Sequence, residues 1–134
     1  MPTIYIIRGL PGSGKSTLGN TLLKAKIVDK VCEADHYMIN GSGEYVFDQN
    51  RLMECHSRCQ TDTRAALQSG LNVAVCNTFT KIWEMEFYLE IAKDNRYTLA
   101  VIKCEGNYGS VHGVPKSKIN EMRSRFQDWP REFE

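Results

Sequence analysis

The stretch Gly9-Leu10-Pro11-Gly12-Ser13-Gly14-Lys15-Ser16 constrains this chain more than any other feature. It matches the pattern G-x-x-x-x-G-K-[ST] without a mismatch, and its surroundings are those the pattern requires. Before it, Thr3-Ile4-Tyr5-Ile6-Ile7 is β-branched and aromatic, which predicts a buried parallel strand. After it, Leu18, Leu22 and Leu23 fall at helical spacing. Glycines let successive backbone N–H groups turn inward towards a phosphate chain, and the helix that follows adds the positive end of its dipole. Gly12, Ser13, Gly14, Lys15, Ser16 and Thr17 are therefore expected to hold the phosphates of a nucleoside triphosphate. Lys15 supplies a point charge to the outer phosphates, and the Ser16 hydroxyl is placed to hold Mg²⁺.

The rest of the chain alternates in the same manner. Ile27, Val28, Val31 and Cys32 predict a short second strand within 26–34, ending at Asp35. Leu52, Cys55, Cys59, Thr63, Ala66 and Leu67 predict a long amphipathic helix over 48–69, closed by Gly70. Residues 71–76 read as a third strand and 97–104 as a fourth. Between them lies a helix over 82–93, with Thr80 as its N-cap. Ile119, Met122, Phe126 and Trp129 step by three and four, so a last helix over 115–129, with Pro115 at its first position and Pro130 as its stop, is expected to pack on the body. This order implies an α/β fold: one P-loop NTPase domain, a mainly parallel sheet of about four or five strands, and helices on both faces.

Composition narrows the partners. In 134 residues, 17 Lys and Arg nearly balance 16 Asp and Glu, a net charge of +1. That argues against a long nucleic acid gripped through many phosphates, while leaving room for one phosphorylated end. Nothing near the N-terminus reads as an export signal, and no stretch approaches the roughly 20 apolar residues of a membrane span. The five cysteines, Cys32, Cys55, Cys59, Cys76 and Cys104, are odd in number and contain no C-x-x-C, so they read as reduced, small hydrophobes. A cytoplasmic protein is expected.

Phosphoryl transfer needs a group to orient or deprotonate the acceptor. In parallel sheets the ligand crevice lies at the carboxyl ends of the strands. Asp35, at the end of the second strand, is thus expected near the phosphate loop, within reach of an acceptor hydroxyl or of Mg²⁺.

Longer stretches of the chain resemble the kinase domain of phage polynucleotide kinase and its zeta-toxin-like P-loop kinase relatives. The matching pieces are residues 8–17, Ala34-Asp35-His36-Tyr37, residues 43–47, His56, Asn77-Thr78, Trp83-Glu84-Met85 and His112-Gly113-Val114-Pro115. The resemblance implies transfer of the γ-phosphoryl of ATP to a hydroxyl, with Asp35 as general base. Asn77 and Thr78 would line the acceptor side with Asp35 and Tyr37, and residues 105–115 would form a lid. Two departures stand out. Relatives usually carry an acid where this chain has Cys76, and their lid is rich in arginine where residues 105–111 have none. Lys116, Lys118, Arg123 and Arg125 are the cations that could substitute from the last helix.

The most specific reading is a polynucleotide 5′-hydroxyl kinase. The alternatives are a kinase of a small molecule, nucleoside, nucleotide or modified DNA base, or an ATP-binding module with little transfer, or a subunit that receives an arginine from a partner. No motif separates ATP from GTP or sets an oligomeric state. Arg51, Arg58 and Arg64 read either as a solvated helix face, with Glu54 paired to Arg58, or as a small basic surface for a nucleic-acid end or a phosphorylated substrate, and His56 as a core histidine or one supporting the site from behind. Tyr37, Tyr45 and Phe47 either stack on an acceptor base or close the small core.

Overall fold

The computed structural model describes residues 1–109 and 113–129. Four strands form one parallel sheet: β1 (Thr3–Gly9), β2 (Lys30–Cys32), β3 (Val73–Asn77) and β4 (Thr98–Cys104), in the order β2-β3-β1-β4. The four helices are α1 (Lys15–Lys24), α2 (Leu52–Gln68), α3 (Glu86–Asn95) and α4 (Lys116–Arg125).

Side chains alternate along β1 and so divide the core in two. Ile4 and Ile6 face α2 and α3, where they meet Cys59, Ala66, Leu67, Tyr88, Ile91 and Ala92. Tyr5 and Ile7 face α1, with Leu18, Leu22, Val28, Ala74 and Cys76. The chain moves from β1 outward to β2, then reverses through β3 to β4. Right-handed crossovers therefore place α1 on one face and α2 and α3 on the other. The crevice where the direction reverses lies between the carboxyl ends of β1 and β3.

Several boundaries differ from the periodicity. β2 is confined to Lys30–Cys32 because the chain turns at once into a 3₁₀ helix, Ala34–Tyr37. α2 is preceded by a 3₁₀ turn, Gln49–Arg51, capped by Asp48, whose Oδ1 accepts from the Asn50 N–H at 2.9 Å. The third helix also begins as a 3₁₀ turn, Ile82–Met85. There Thr80 does not act as the expected cap. Its hydroxyl donates to Glu84 Oε1 (2.7 Å), which also accepts the Lys81 N–H (2.8 Å).

The expected helix over 115–129 is a larger correction. α4 stops at Arg125, Pro115 stands just before it, and α4 itself buries no residue. Phe126 turns extended, and the Gln127 N–H donates to Thr80 O at 2.7 Å while Gln127 Oε1 accepts from the Ile82 N–H at 2.8 Å. Phe126 and Trp129 do reach the body, but through this tethered extended segment: Phe126 lies under the Arg8 guanidinium at 4.3 Å and Trp129 packs on the larger core. Backbone pairing with the residue 80–82 turn competes with the helix, and spacing alone does not reveal it. Pro130 lies outside the described residues.

Candidate functional site

The phosphate loop runs from β1 into α1 as expected. Gly14 stands before α1 with φ 101°, in the left-handed region that glycine enters without strain. Gly19 lets α1 sit close on the sheet, since a Cβ there would lie 2.8 Å from Cys76 Sγ. Ser13 is buried, and among the described residues its hydroxyl has no hydrogen-bond partner. Lys15 Nζ donates to Leu10 O at 2.9 Å. Burial lowers the Lys15 pKa, while the nearby Glu33 and Asp35 carboxylates push it back up.

Beside the loop lies a cleft of about 560 Å³, within the usual range for small-molecule sites. Ser13, Gly14, Thr17 and Thr21 form one side, and Cys104, Glu105 and Tyr108 the other. The segment after β4 is tied to the phosphate loop by two backbone bonds, Gly106 N–H to Ser13 O (3.2 Å) and Tyr108 N–H to Gly12 O (2.9 Å). The Tyr108 ring lies against Gly14. The resemblance implies only a lid for this segment, not a wall tied to the phosphate loop. Its Gly-x-Tyr after a strand was the available sign of a wall.

Asp35 is exposed in the 3₁₀ turn after β2, where its charge is felt at Lys15. Asn77, at the end of β3, is buried, and its Oδ1 accepts the Ala34 N–H at 2.9 Å. It thereby fixes the start of the turn that carries Asp35. Thr78 is half-buried, and its carbonyl accepts the Gly9 N–H at 3.2 Å, tying the ends of β1 and β3 together. Tyr37 turns back onto α2. Its hydroxyl donates to Asp62, and Arg58 lies over its ring at 4.7 Å. Burial and the Asp62 carboxylate both raise the Tyr37 pKa.

Beyond the turn, Ile39 and Tyr45 form an antiparallel bridge. Tyr45 packs on Ala34, Met38 and Cys55, whereas Phe47 is 58% exposed. Arg51, in the turn before α2, and Arg58 and Arg64 on it are not a bare solvated face. Glu54 pairs with Arg51 at 2.9 Å rather than with Arg58, Arg51 also donates to Tyr37 O and Ile39 O, and Arg64 covers Phe87. His56 is half-buried. Arg123 donates to Asn120 Oδ1 within its own helix, and Arg125 to Thr80 Oγ1 at 3.3 Å. His112 lies outside the described residues.

Glu33 is the residue that sequence reasoning missed. It is 7% exposed, and its Oε1 accepts the Ser16 hydroxyl at 2.6 Å. Its Oε2 lies 3.1 Å from His36 Nε2. Burial pushes the Glu33 carboxyl up, but the bonds to His36 and Ser16 and the charge of Lys15 bring it below the ordinary value. The available signal was an acid two positions before Asp35 at a strand end. Cys76, by contrast, is a buried thiol that points at Lys15 O (3.6 Å), and burial raises its pKa. The chemistry of the site fits Mg²⁺, which prefers oxygen donors and is ordinarily held by one or two protein groups together with phosphates. Among the described residues no three His, Cys, Asp or Glu side chains gather into a cage, and no helix is long and apolar enough to cross a membrane.

Comparison with known proteins agrees with this geometry. Residues 4–108 match the family model described as an AAA domain. Human NEDD4-binding protein 2 is 30% identical over 135 residues, which span 92% of this chain but 8% of that much longer protein. A chain of the Pnkp1/Rnl/Hen1 RNA repair complex superposes with a TM-score of 0.69 at 17% identity, over 93% of this chain and 44% of that one. A sugar kinase from Janibacter sp. HTCC2649 gives 0.70 at 13% identity, over 98% and 82%. The APS kinase CysC of Mycobacterium tuberculosis, in complex with AMPPNP and APS, gives 0.59 at 17% identity, over 90% and 67%. The phosphate loop, the parallel sheet and the residues matched agree, and the chain belongs to this AAA-domain family of P-loop, kinase-like proteins.

Proposed function

We propose that this chain transfers the γ-phosphoryl of ATP to a hydroxyl, most specifically the 5′-hydroxyl of a short polynucleotide end. The observation that carries this reading is the placement of Asp35, exposed to an incoming acceptor yet close enough for its charge to act on Lys15. In the transfer, the acceptor oxygen forms a bond to the γ-phosphorus, the bridging P–O bond to ADP breaks, and Asp35 takes the hydroxyl proton. Lys15 and the backbone N–H groups of 12–17 hold the phosphates. Ser16 would hold Mg²⁺, which when bound would neutralise charge on the phosphates. Asn77 and Tyr37 serve the acceptor side by fixing the turn that bears Asp35. The exposed Phe47 ring and the exposed Ile39 and Val46 side chains beyond that turn suit a nucleobase, which stacks on apolar and aromatic faces.

The test is Mg²⁺-dependent transfer of labelled γ-phosphate to 5′-hydroxyl DNA and RNA oligonucleotides, nucleosides, nucleotides and sugars. Label on the oligonucleotides, lost in Asp35→Asn, is the expected result. Label on another class alone would replace the acceptor, and transfer that survives Asp35→Asn would remove Asp35 from its role. Lys15→Ala should abolish transfer and weaken ATP binding. A second reading, an ATP-binding module with little transfer, is favoured by one observation: the penultimate residue of β3 is Cys76, a buried thiol that can neither organise Mg²⁺ nor orient a base. Slow hydrolysis indifferent to every acceptor would support it.

A further inference from the structure

The carboxyl end of β1 carries a charge that the phosphate loop does not use. Arg8 is 1% exposed, and its Nε and Nη2 donate to Phe79 O at 3.1 and 2.6 Å. Among the described residues its Nη1 has no hydrogen-bond partner, and no carboxylate forms an ion pair with it. Asp128 and Glu84 act on it through their charge alone. A buried cation without a counter-charge is costly.

The register places a second cation beside it. Arg8 stands opposite Lys103 in the parallel β1–β4 ladder, and Ile6 opposite Val101. Paired residues share a face, here that of Ile6 and α3, whereas the nucleotide cleft lies on the α1 face. There Arg8, Val101, Lys103, Asp128 and Trp129 line a second cavity of about 300 Å³. The Phe126 ring holds both cations at its edge of the cavity, 4.3 Å from the Arg8 guanidinium and 4.9 Å from Lys103 Nζ. Lys103 has exposed carboxylates for company, Glu105 at 3.2 Å and Asp128 at 3.9 Å. Exposed pairs of this kind are weak and readily exchanged for a stronger anion.

We infer that this cavity is a second anion site, in which Lys103 and Arg8 take a phosphate group on the face of the sheet away from the nucleotide. Two cations on adjacent strands suit a phosphate, whose several oxygens can bridge them. Arg8 also holds the Phe79 carbonyl, in the turn that follows Asn77 and Thr78. The group is therefore either an internal phosphate of the acceptor strand or a free phosphate. The site itself does not rest on the kinase reading; only the choice between these sources does.

The experiment is equilibrium dialysis of labelled inorganic phosphate against the whole chain. Arg8→Ala strands Phe79 O and can unfold the turn, so Lys103 carries the test. Lys103→Gln should weaken phosphate binding roughly 10–100-fold, the worth of one hydrogen bond between charged groups, and Lys103→Arg should restore it. Asp128→Asn should tighten it by roughly two- to fivefold, since an exposed competitor for Lys103 is gone. Acetate should compete poorly. No bound phosphate, binding indifferent to Lys103→Gln, or acetate competing as well as phosphate would overturn the assignment. The source is read from transfer to a 5′-hydroxyl trinucleotide and to its uncharged methylphosphonate analogue. A higher KM for the analogue, with the difference lost in Lys103→Gln, identifies the acceptor strand. Equal KM values with phosphate bound keep the site and make its ligand a free phosphate. Failure of the kinase reading would show separately, as no transfer to either trinucleotide with phosphate binding intact.

Discussion

The ends of β2 and β3 lie side by side and do opposite work. β3 is buried along its whole length, and its last residues, Cys76 and Asn77, spend their side chains on the protein itself. β2 is an edge strand of three residues, and the chain leaving it presents Glu33 to Ser16 and Asp35 to solvent. The contrast has a physical reason. A central strand is covered on both faces, so a charge there costs more than a thiol or a bonded amide. An edge strand that ends early leaves its next residues near water and near the phosphate loop at once. The carboxylates near the phosphate loop thus follow the edge strand, and the buried strand holds their turn in place.

The comparison can be broken or sharpened in steps of falling size. Asp35→Asn should lower transfer by roughly 10²–10⁴-fold, the usual contribution of a general base. Its thermal stability should stay close to wild type, because surface substitutions shift stability by only about 0.5 kcal/mol. A large loss of stability would make Asp35 a structural residue and erase the contrast. Asn77→Ala should behave oppositely. It strands the buried Ala34 N–H and should cost about 1–3 kcal/mol in denaturant unfolding. An Asn77→Ala chain as stable as wild type would show that β3 does not hold the turn. Tyr37→Phe removes the bond to Asp62 and should cost about 1 kcal/mol. If it instead raises the KM for the acceptor with stability unchanged, Tyr37 contacts substrate directly. Smallest of all is a labelling pattern. Half-buried Cys104 lines the cleft beside the phosphate loop, so a thiol reagent should modify it first, more slowly with ATP present. Cys76 should resist, because it is buried and its thiol is held protonated. Early loss of Cys76 would mean that the end of β3 opens.

Much of this arrangement could be read along the chain. The apolar or small residues at 55, 59, 63, 66 and 67 are the buried face of α2, because one face of a helix recurs every three to four residues. Gly70, with φ 86°, follows α2 as its spacing implied. The phosphate loop carries its geometry within eight consecutive residues. Glu33 was less legible, since its role depends on Ser16, 17 positions away, and on a register between two strands. The segment 126–129 defeated periodicity for a related reason. Its i, i+3 spacing suits a helix, but the pairing of Gln127 with residues 80–82 is a long-range bond with no local signal.

By itself, then, the sequence determined the parallel α/β architecture, the phosphate loop with Lys15 and Ser16, and the position of Asp35 at a strand end. Each of these rests on local stereochemistry: glycine conformations, side-chain period and strand polarity. Tertiary structure alone decided that Glu33 stands on Ser16, that Tyr37 is engaged by Asp62, that Asn77 holds the Asp35 turn, and that Tyr108 walls the cleft. Those are contacts between residues far apart in the chain, and they exist only once the sheet order and the strand register have been fixed by packing.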